Sequence, residues 1–496
     1  MEQRTGLLAR AVRGGMWVFA LSVSQEILAL ARLVILARLL SPDDFGLAGI
    51  AVIALTTLDT LTSTGFDTAL IQKKEDIRPY LDTAWTVGVL RGFVVFALVL
   101  AAAPWAAAFF RTPEATSLVR LIGLSMLARS FTSIGVVSFR KDLEFGKQFA
   151  WQFAGRLADF VVAVVAGFVL RNAWALVVAF VAGDAVKLAL SYALHPYRPR
   201  FALDGPKARE LFGFGKWVLG IGVLVFLLTQ VDNAAVGRLV TPMPMMLGFY
   251  QLARRVANVP ATEIAHVLAN VTFPAYSKLQ DATSKMREAY LMTLEIITLV
   301  ALPVASAIAV LAPEITAGVF GEKWLPAAPA VRILAVWGAI GALASTAEPV
   351  LIAVGRPRTL TKYQAINLVV LAGLLVPLTL RWGIQGASLA MVLAAAGPCL
   401  LVTRKVARIT ACGAAGLARI VAVPLAAAVL AGAGVLLVKR LDAIAAVSSA
   451  ARLGLGLAAF AALYLGIAWW LGRRLEYRIG TLVAEVLRVI RSRAAR

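Results

Sequence analysis

The sequence predicts an all-α, polytopic membrane protein of about fourteen transmembrane helices: two pseudo-symmetric six-helix lobes followed by two further helices. Three observations lead there. Of 496 residues, 60% are hydrophobic and only 15% charged, with mean hydropathy +0.82. That composition cannot supply a polar surface, so the lipid bilayer is the main solvent. Apolar runs of about 20 residues, enough to cross a hydrocarbon core of about 30 Å as helix, recur along the chain; the period-2 alternation of a membrane barrel is absent. Finally, residues 15–42 echo residues 215–242, with eight ungapped identities in 28 positions (Gly15, Trp17, Val18, Val23, Leu28, Arg38, Leu39 and Pro42). Repeated helical halves in a membrane protein usually enclose a central path.

The first span, residues 16–37, follows Arg4, Arg10 and Arg13. Its apolar stretch is too long for a cleaved signal peptide and no small-residue cleavage site follows, so it reads as a retained anchor. The second, 46–69, carries Asp59 and Asp67 among Thr56, Thr57, Thr60, Thr62, Ser63, Thr64 and Thr68. Hydroxyls can bond to their own helix backbone, but joined by two carboxylates they favour a water-lined wall. The third, 82–103, contains Gly88-Val89-Leu90-Arg91-Gly92, a small-residue spacing that permits close helix packing. Spans 117–138, 149–170 and 173–193 complete a first lobe, residues 1–205. The polar run over 195–207 holds prolines and charges that prevent it from spanning, so it is a cytoplasmic connector.

Spans 214–236, 246–274, 289–311, 330–353, 363–380 and 384–403 form a second lobe, residues 206–412. Leu380-Arg381 before its last helix matches Leu170-Arg171 before the sixth. Six helices per lobe makes the repeats parallel. Spans 418–438 and 453–471, within residues 413–496, stand outside the repeat; they lack ionisable residues in the hydrocarbon and are expected to face lipid. In the tail, Ile479, Leu482, Val483, Val486 and Ile490 share one helical face beside Arg478, Arg488, Arg491 and Arg493. Either this tail lies on the anionic inner leaflet, or it is a plain basic terminus.

The net charge is +22. With the N-terminus inside, the inner loops, tails and adjoining helix ends hold 31 Lys and Arg against nine outside. By the positive-inside rule both termini are cytoplasmic. The excess is spread over equivalent loops, which speaks against a nucleic-acid partner. Cys399 and Cys412 have neither disulfide-framework nor zinc spacing. No ATP loop, hydrolase elbow or metalloprotease motif is present, so no catalytic residue, cofactor or metal is expected, and transport must draw on a gradient or on mass action.

Apart from Lys216 at the start of the seventh, nineteen Asp, Glu, Lys and Arg residues fall within the first ten spans. Asp82, Arg120, Lys187 and Arg332 lie near helix ends and can snorkel. The deeper Arg32, Asp59, Arg91, Arg129, Arg254, Arg255, Glu263 and Glu348 cannot all face lipid. At about 2.5–3.5 kcal/mol each they would cost roughly 20 kcal/mol, beyond the usual stability of a domain. They line a hydrated cavity or pair internally. Arg32 aligns with Asp232 in the repeat, which makes them either a gate pair or two locally satisfied positions. Glu263 and His266, one turn apart, resemble half a metal site without its second half; they form a hydrogen-bonded pair or a proton-coupling site. Asp59, Asp67, Asp232, Glu263, His266 and Glu348 are the candidates for ion coupling or gating.

Several motifs resemble bacterial polysaccharide-export flippases of the Wzx type. They are Leu39-Leu40-Ser41-Pro42-Asp43-Asp44-Phe45-Gly46-Leu47, Gly65-Phe66-Asp67-Thr68-Ala69-Leu70-Ile71-Gln72-Lys73-Lys74 and Phe139-Arg140-Lys141-Asp142-Leu143-Glu144-Phe145. Gly248-Phe249-Tyr250-Gln251-Leu252-Ala253, Val271-Thr272-Phe273-Pro274-Ala275-Tyr276-Ser277 and Gly321-Glu322-Lys323-Trp324-Leu325-Pro326-Ala327-Ala328-Pro329 add to them. The resemblance spans about residues 10–400. It implies the superfamily of multidrug antiporters and the peptidoglycan-precursor flippase, with two six-helix lobes opening alternately to each face. It also implies a polyprenyl-diphosphate-linked oligosaccharide as substrate and, as partners, a polysaccharide polymerase and export machinery.

The physics agrees, since a diphosphate and several sugars cannot cross hydrocarbon unaided. A cavity holding Arg32, Arg91, Arg129, Arg254 and Arg255 suits the diphosphate, because a guanidinium fork pairs with phosphate oxygens. Two rivals make different predictions. A multidrug or cation antiporter of the same fold needs a more apolar and acidic pocket. A membrane-embedded polymerase, ligase or glycosyltransferase needs a large outer loop, and the longest here is about residues 312–329.

Overall fold

In a computed structural model of the chain, residues 2–73, 75–259, 276, 279, 282–439 and 448–474 are described. Among them there are helices and no strands, and the chain divides into two units, Met1–Gln251 and Leu252–Arg496. Eleven helices among the described residues are long and apolar enough to cross a membrane; a pair bent by 70°, Ala115–Phe131 with Ile134–Lys141, makes a broken twelfth. The difference from fourteen has two visible sources. Residues 260–275, about half of the expected eighth span, lie outside the described residues, and the expected eleventh and twelfth spans follow one another across a kink with no loop, so that they count once.

In the first unit, α1 (Glu2–Leu39) leads directly into α2 (Pro42–Leu61). The corner is a capping box: Ser41 Oγ accepts from the Asp44 amide at 3.2 Å, and the Asp44 carboxylate accepts from the Ser41 amide at 2.9 Å. Pro42, with no amide hydrogen to lose, sits in the first turn. The helix stops at Leu61, eight residues short of the expected span. Gly65 adopts φ +66, a left-handed turn open to glycine, and α3 (Phe66–Gln72) begins afresh there. Asp67 therefore belongs to α3 and not to α2.

Next come α4 (Arg78–Phe109), α5 (Ala115–Ile122), α6 (Leu124–Phe131) and α7 (Val137–Lys141). The expected straight span 117–138 bends because Thr132 and Ser133 are extended, with the Ser133 amide donating to Ser191 Oγ at 2.9 Å. Beyond it, α8 (Phe145–Leu170) and α9 (Trp174–Leu194) pack closely. A side chain on Gly183 would lie 2.9 Å from the Gly155 carbonyl oxygen. The apolar faces of α2, α4, α5 and α9 meet in one core of Leu55, Val95, Val99, Leu118, Ile122 and Val177.

The connector runs as an extended strap beside the start of α4. The Arg200 amide donates to Asp82 at 2.9 Å, the Ala202 amide to Thr86 Oγ1 at 3.0 Å, and the Asp204 amide to Thr83 Oγ1 at 3.3 Å. Burial, more than the charge of Lys147, lowers the pKa of His195, whose neutral Nδ1 accepts from the Tyr197 amide at 3.1 Å. Asp204 then caps α10 (Gly205–Leu239) through the Lys207 amide. Both ends of α10 are held within this unit. Near its start, Gly215 abuts the Thr64 carbonyl, and Glu210 accepts from Lys73 at 2.5 Å and Tyr80 at 2.8 Å.

At the far end, α11 (Met245–Ala257) meets the start of α2 in a reciprocal contact. Gly46 lies against the Pro244 carbonyl and Gly248 against the Pro42 carbonyl. The counterpart of Pro42 is thus Pro244 and not the sequence-aligned Pro242, because the second corner is two residues longer. Division by packing, at residue 251, and division by sequence repeat, at residue 205, describe different properties of the chain.

In the second unit, α12 (Thr283–Val310), α13 (Ala328–Ser345), α14 (Glu348–Ala353) and α15 (Pro357–Ile409) precede the accessory α16 (Ala414–Val438) and α17 (Ser449–Arg474). At 53 residues, α15 would be about 80 Å long if straight. It is interrupted at Trp382 and Gly383, the latter at φ +58, which separates the two expected spans. Ala427, Ala428, Ala431 and Val435 of α16 pack with Phe460 and Tyr464 of α17 on Leu311, while Leu430, Leu437 and Leu465 stay exposed on lipid-suited faces. The amphipathic tail after Arg474 lies outside the described residues.

One ion pair secures this attachment. Lys439 Nζ donates to Glu314 and to the Val310 carbonyl, each at 2.8 Å, and the Glu314 side chain is 12% exposed. Lys439→Met strands that carboxylate and is expected to destabilise the protein by about 2 kcal/mol, less than a fully buried break because both groups touch solvent. Thermal unfolding in detergent reads the loss. Adding Glu314→Gln is expected to recover most of it; equal melting of the single and double variants contradicts the pairing.

Candidate functional site

The polar residues of α2 do two different things. Thr56, Thr57 and Thr62 return their hydroxyls to Val52, Ile53 and Leu58 carbonyls at 2.6–2.8 Å, so much of the hydroxyl density satisfies itself locally. Asp59 does not. It projects into a cavity of about 500 Å³ built from α2, α3, α4 and α6 to α10. That volume lies in the range of ordinary ligand sites.

Five charged groups from four helices form a chain of alternating sign along this cavity. Arg91 of α4 pairs with the Asp59 carboxylate, donates to the Asp59 carbonyl at 2.5 Å and through Nε to Thr62 Oγ1 at 3.2 Å. Arg129 of α6 reaches the other Asp59 oxygen at 3.4 Å and Asp184 of α9 at 2.8 Å. Asp184 also pairs with Lys187 at 3.5 Å. Arg129, in the middle of the chain, is 40% exposed and Asp59 30%, whereas Asp184, held between Arg129 and Lys187, is 5%. Asp67 lines the same space from α3, with Trp85, Trp151, Ser63, Thr64, Thr68 and Ser130.

A second, smaller chamber of about 230 Å³ shares the Arg129–Asp184–Lys187 wall. Asp159, almost buried, sits there between Arg32 at 3.4 Å and Arg156 at 3.9 Å. A third space of about 540 Å³ lies between the Thr56–Asp59–Thr60–Ser63 face of α2 and an apolar face of α10 that includes Ile221, Val225 and Phe226.

Of the residues singled out from sequence, Asp59, Asp67, Arg91 and Arg129 converge on one cavity. Arg32 stands apart from Asp232: its partners are Asp159 and the Leu176 carbonyl, while Asp232 accepts the Tyr250 hydroxyl at 2.8 Å. Arg254, 5.7 Å from the Trp337 ring, Arg255 and Glu348 belong to the second unit. Glu263 and His266 lie outside the described residues. Lys187, taken from sequence as a snorkelling helix-end residue, instead lines the cavity. Its signal was Asp184 one turn away on the same face. The glycine spacing over 88–92 splits in the same manner: Gly92 packs on Ser130, but Gly88 opens into the cavity.

Residues 35–329 match the profile of a family described as "Polysaccharide biosynthesis protein". The chain is 25% identical over 346 residues to "Lipopolysaccharide biosynthesis protein WzxC" of Escherichia coli (strain K12), covering 69% of each. It is 24% identical over 340 residues to "Succinoglycan biosynthesis transport protein ExoT" of Rhizobium meliloti (strain 1021), covering 68% of each. In fold it is similar to "Lipid II flippase MurJ, inward closed conformation", with TM-score 0.76 at 14% identity over 93% of this chain and 99% of that one.

Proposed function

The chain belongs to the polysaccharide biosynthesis protein family, and from that premise we propose that it flips polyprenyl-diphosphate-linked oligosaccharide from the inner to the outer leaflet of the cytoplasmic membrane. It acts as a transporter and not as an enzyme, serving surface polysaccharide assembly beside a polymerase and export machinery. Its two six-helix lobes open alternately to the two faces, with both termini cytoplasmic.

The observation that carries this reading is the pair Arg91 and Arg129 in a solvent-accessible, hydroxyl-lined cavity. A diphosphate in hydrocarbon forfeits its hydration, and two guanidiniums restore it with charge-assisted hydrogen bonds. Ser63, Thr64, Thr68 and Ser130 offer donors and acceptors to sugar hydroxyls, and Trp85 and Trp151 offer flat apolar faces. The polyprenyl chain needs no polar site and stays in the bilayer. Arg32, Arg254 and Arg255 are further candidates along the path, while Asp67, Asp232, Glu263, His266 and Glu348 are candidates for coupling or gating.

Deleting the gene tests the assignment. The expected result is loss of one surface polysaccharide, with its lipid-linked repeat unit accumulating on the inner leaflet. Normal surface polysaccharide without accumulation overturns it.

A further inference from the structure

We propose that Asp59 is a built-in stand-in for the substrate's diphosphate: it occupies Arg91 and Arg129 while the cavity is empty and yields them when the headgroup arrives. This deepens the flippase reading and rests on it. The cavity walls carry Arg91, Arg129 and Lys187 against Asp59, Asp67 and Asp184, three formal charges of each sign. Each of the three cations is already engaged by Asp59 or Asp184, so an incoming anion finds none of them free. It gains one only by replacing a carboxylate the protein already supplies.

The geometry singles out which carboxylate yields. Asp184 is 5% exposed and held by both Arg129 and Lys187; displacing it would leave a charge in a dry place, a large penalty. Asp59 bridges guanidiniums from two helices, as a phosphate group would, with one oxygen to each. It is 30% exposed and borders both the 500 Å³ cavity and the 540 Å³ space beside α10, so water can receive it once released. Arg91 keeps its Thr62 contact and Arg129 its Asp184 contact through the exchange, which holds both forks in place.

Competition of this kind weakens headgroup binding and, by the same amount, stabilises the empty carrier. A transporter needs both. A cradle that bound the diphosphate without an internal rival would slow its release on the far side.

The test is Asp59→Asn in nanodiscs, with sugar-free polyprenyl diphosphate as the bound probe and inorganic pyrophosphate as competitor. Asn keeps the shape but gives up the charge. The expected result is about tenfold tighter binding of the probe, displaced by pyrophosphate and lost again in Asp59→Asn with Arg91→Gln. In a flipping assay KM and kcat should fall together, a pattern that mere loosening of the fold does not produce. Asp59→Ser, matched to the hydroxyl-rich run around it, serves if Asn does not insert. Binding equal to or weaker than wild type in Asp59→Asn, with Arg91→Gln still binding poorly, overturns the stand-in and leaves the arginine cradle intact. Unchanged binding in Arg91→Gln itself removes the cradle and the stand-in with it.

Discussion

Arg91→Ala is expected to cut export about a hundredfold, near 3 kcal/mol, the usual scale for truncating one partner of a hydrogen-bonded charge pair at a binding site. The protein should still insert and fold. Asp59 keeps Arg129 at 3.4 Å and is 30% exposed, so no carboxylate is left bare in a dry environment. Arg129→Ala provides the contrast, because it leaves Asp184, 5% exposed, with Lys187 alone at 3.5 Å. That variant is expected to lose stability as well as export. Arg91→Lys should recover only part of the activity: one ammonium cannot reach the Asp59 carboxylate, the Asp59 carbonyl and Thr62 as a planar fork does. Surface polysaccharide, with a membrane-insertion control, reads all three. Wild-type export by Arg91→Ala contradicts a cationic cradle in this cavity.

What sequence alone made legible divides along physical lines. Helix positions followed from hydropathy, because lipid allows few alternatives to a helix. The motif over 39–47 was legible as more than a family likeness: Ser41 and Asp44 stand at capping-box spacing with Pro42 between them, and the coordinates show the two trading bonds. The end of α2 escaped because the polar run Thr62–Gly65 reads equally well as the water-lined wall of one continuous span, whereas the backbone turns at Gly65. Among the charges, depth along the sequence picked out Arg91, Arg129 and Asp59 and dismissed Lys187. Depth is the wrong coordinate for a residue whose helix end faces a cavity. Arg32 shows the converse: it is deep as expected, yet Asp159 and Arg156 occupy its surroundings, and neither was paired with it from sequence.

The reciprocal corner between α2 and α11 sets up the second large expected effect. A side chain at Gly46 would run into the Pro244 carbonyl, and one at Gly248 into the Pro42 carbonyl. Backbone cannot swing aside as a flexible side chain does, so Gly46→Val and Gly248→Val must each push the two corners apart. Each is expected to lower stability by about 1–3 kcal/mol, the range for overpacking a close contact. Pseudo-two-fold exchange of the same contact makes two more specific demands. The single variants should be nearly equal, although they lie on different helices. The double variant should lose clearly less than the sum, because separation forced by one valine makes room for the other. Melting temperatures of the four proteins decide it. Strict additivity would mean that the two glycines sit in independent contacts and that the corner does not open as a unit.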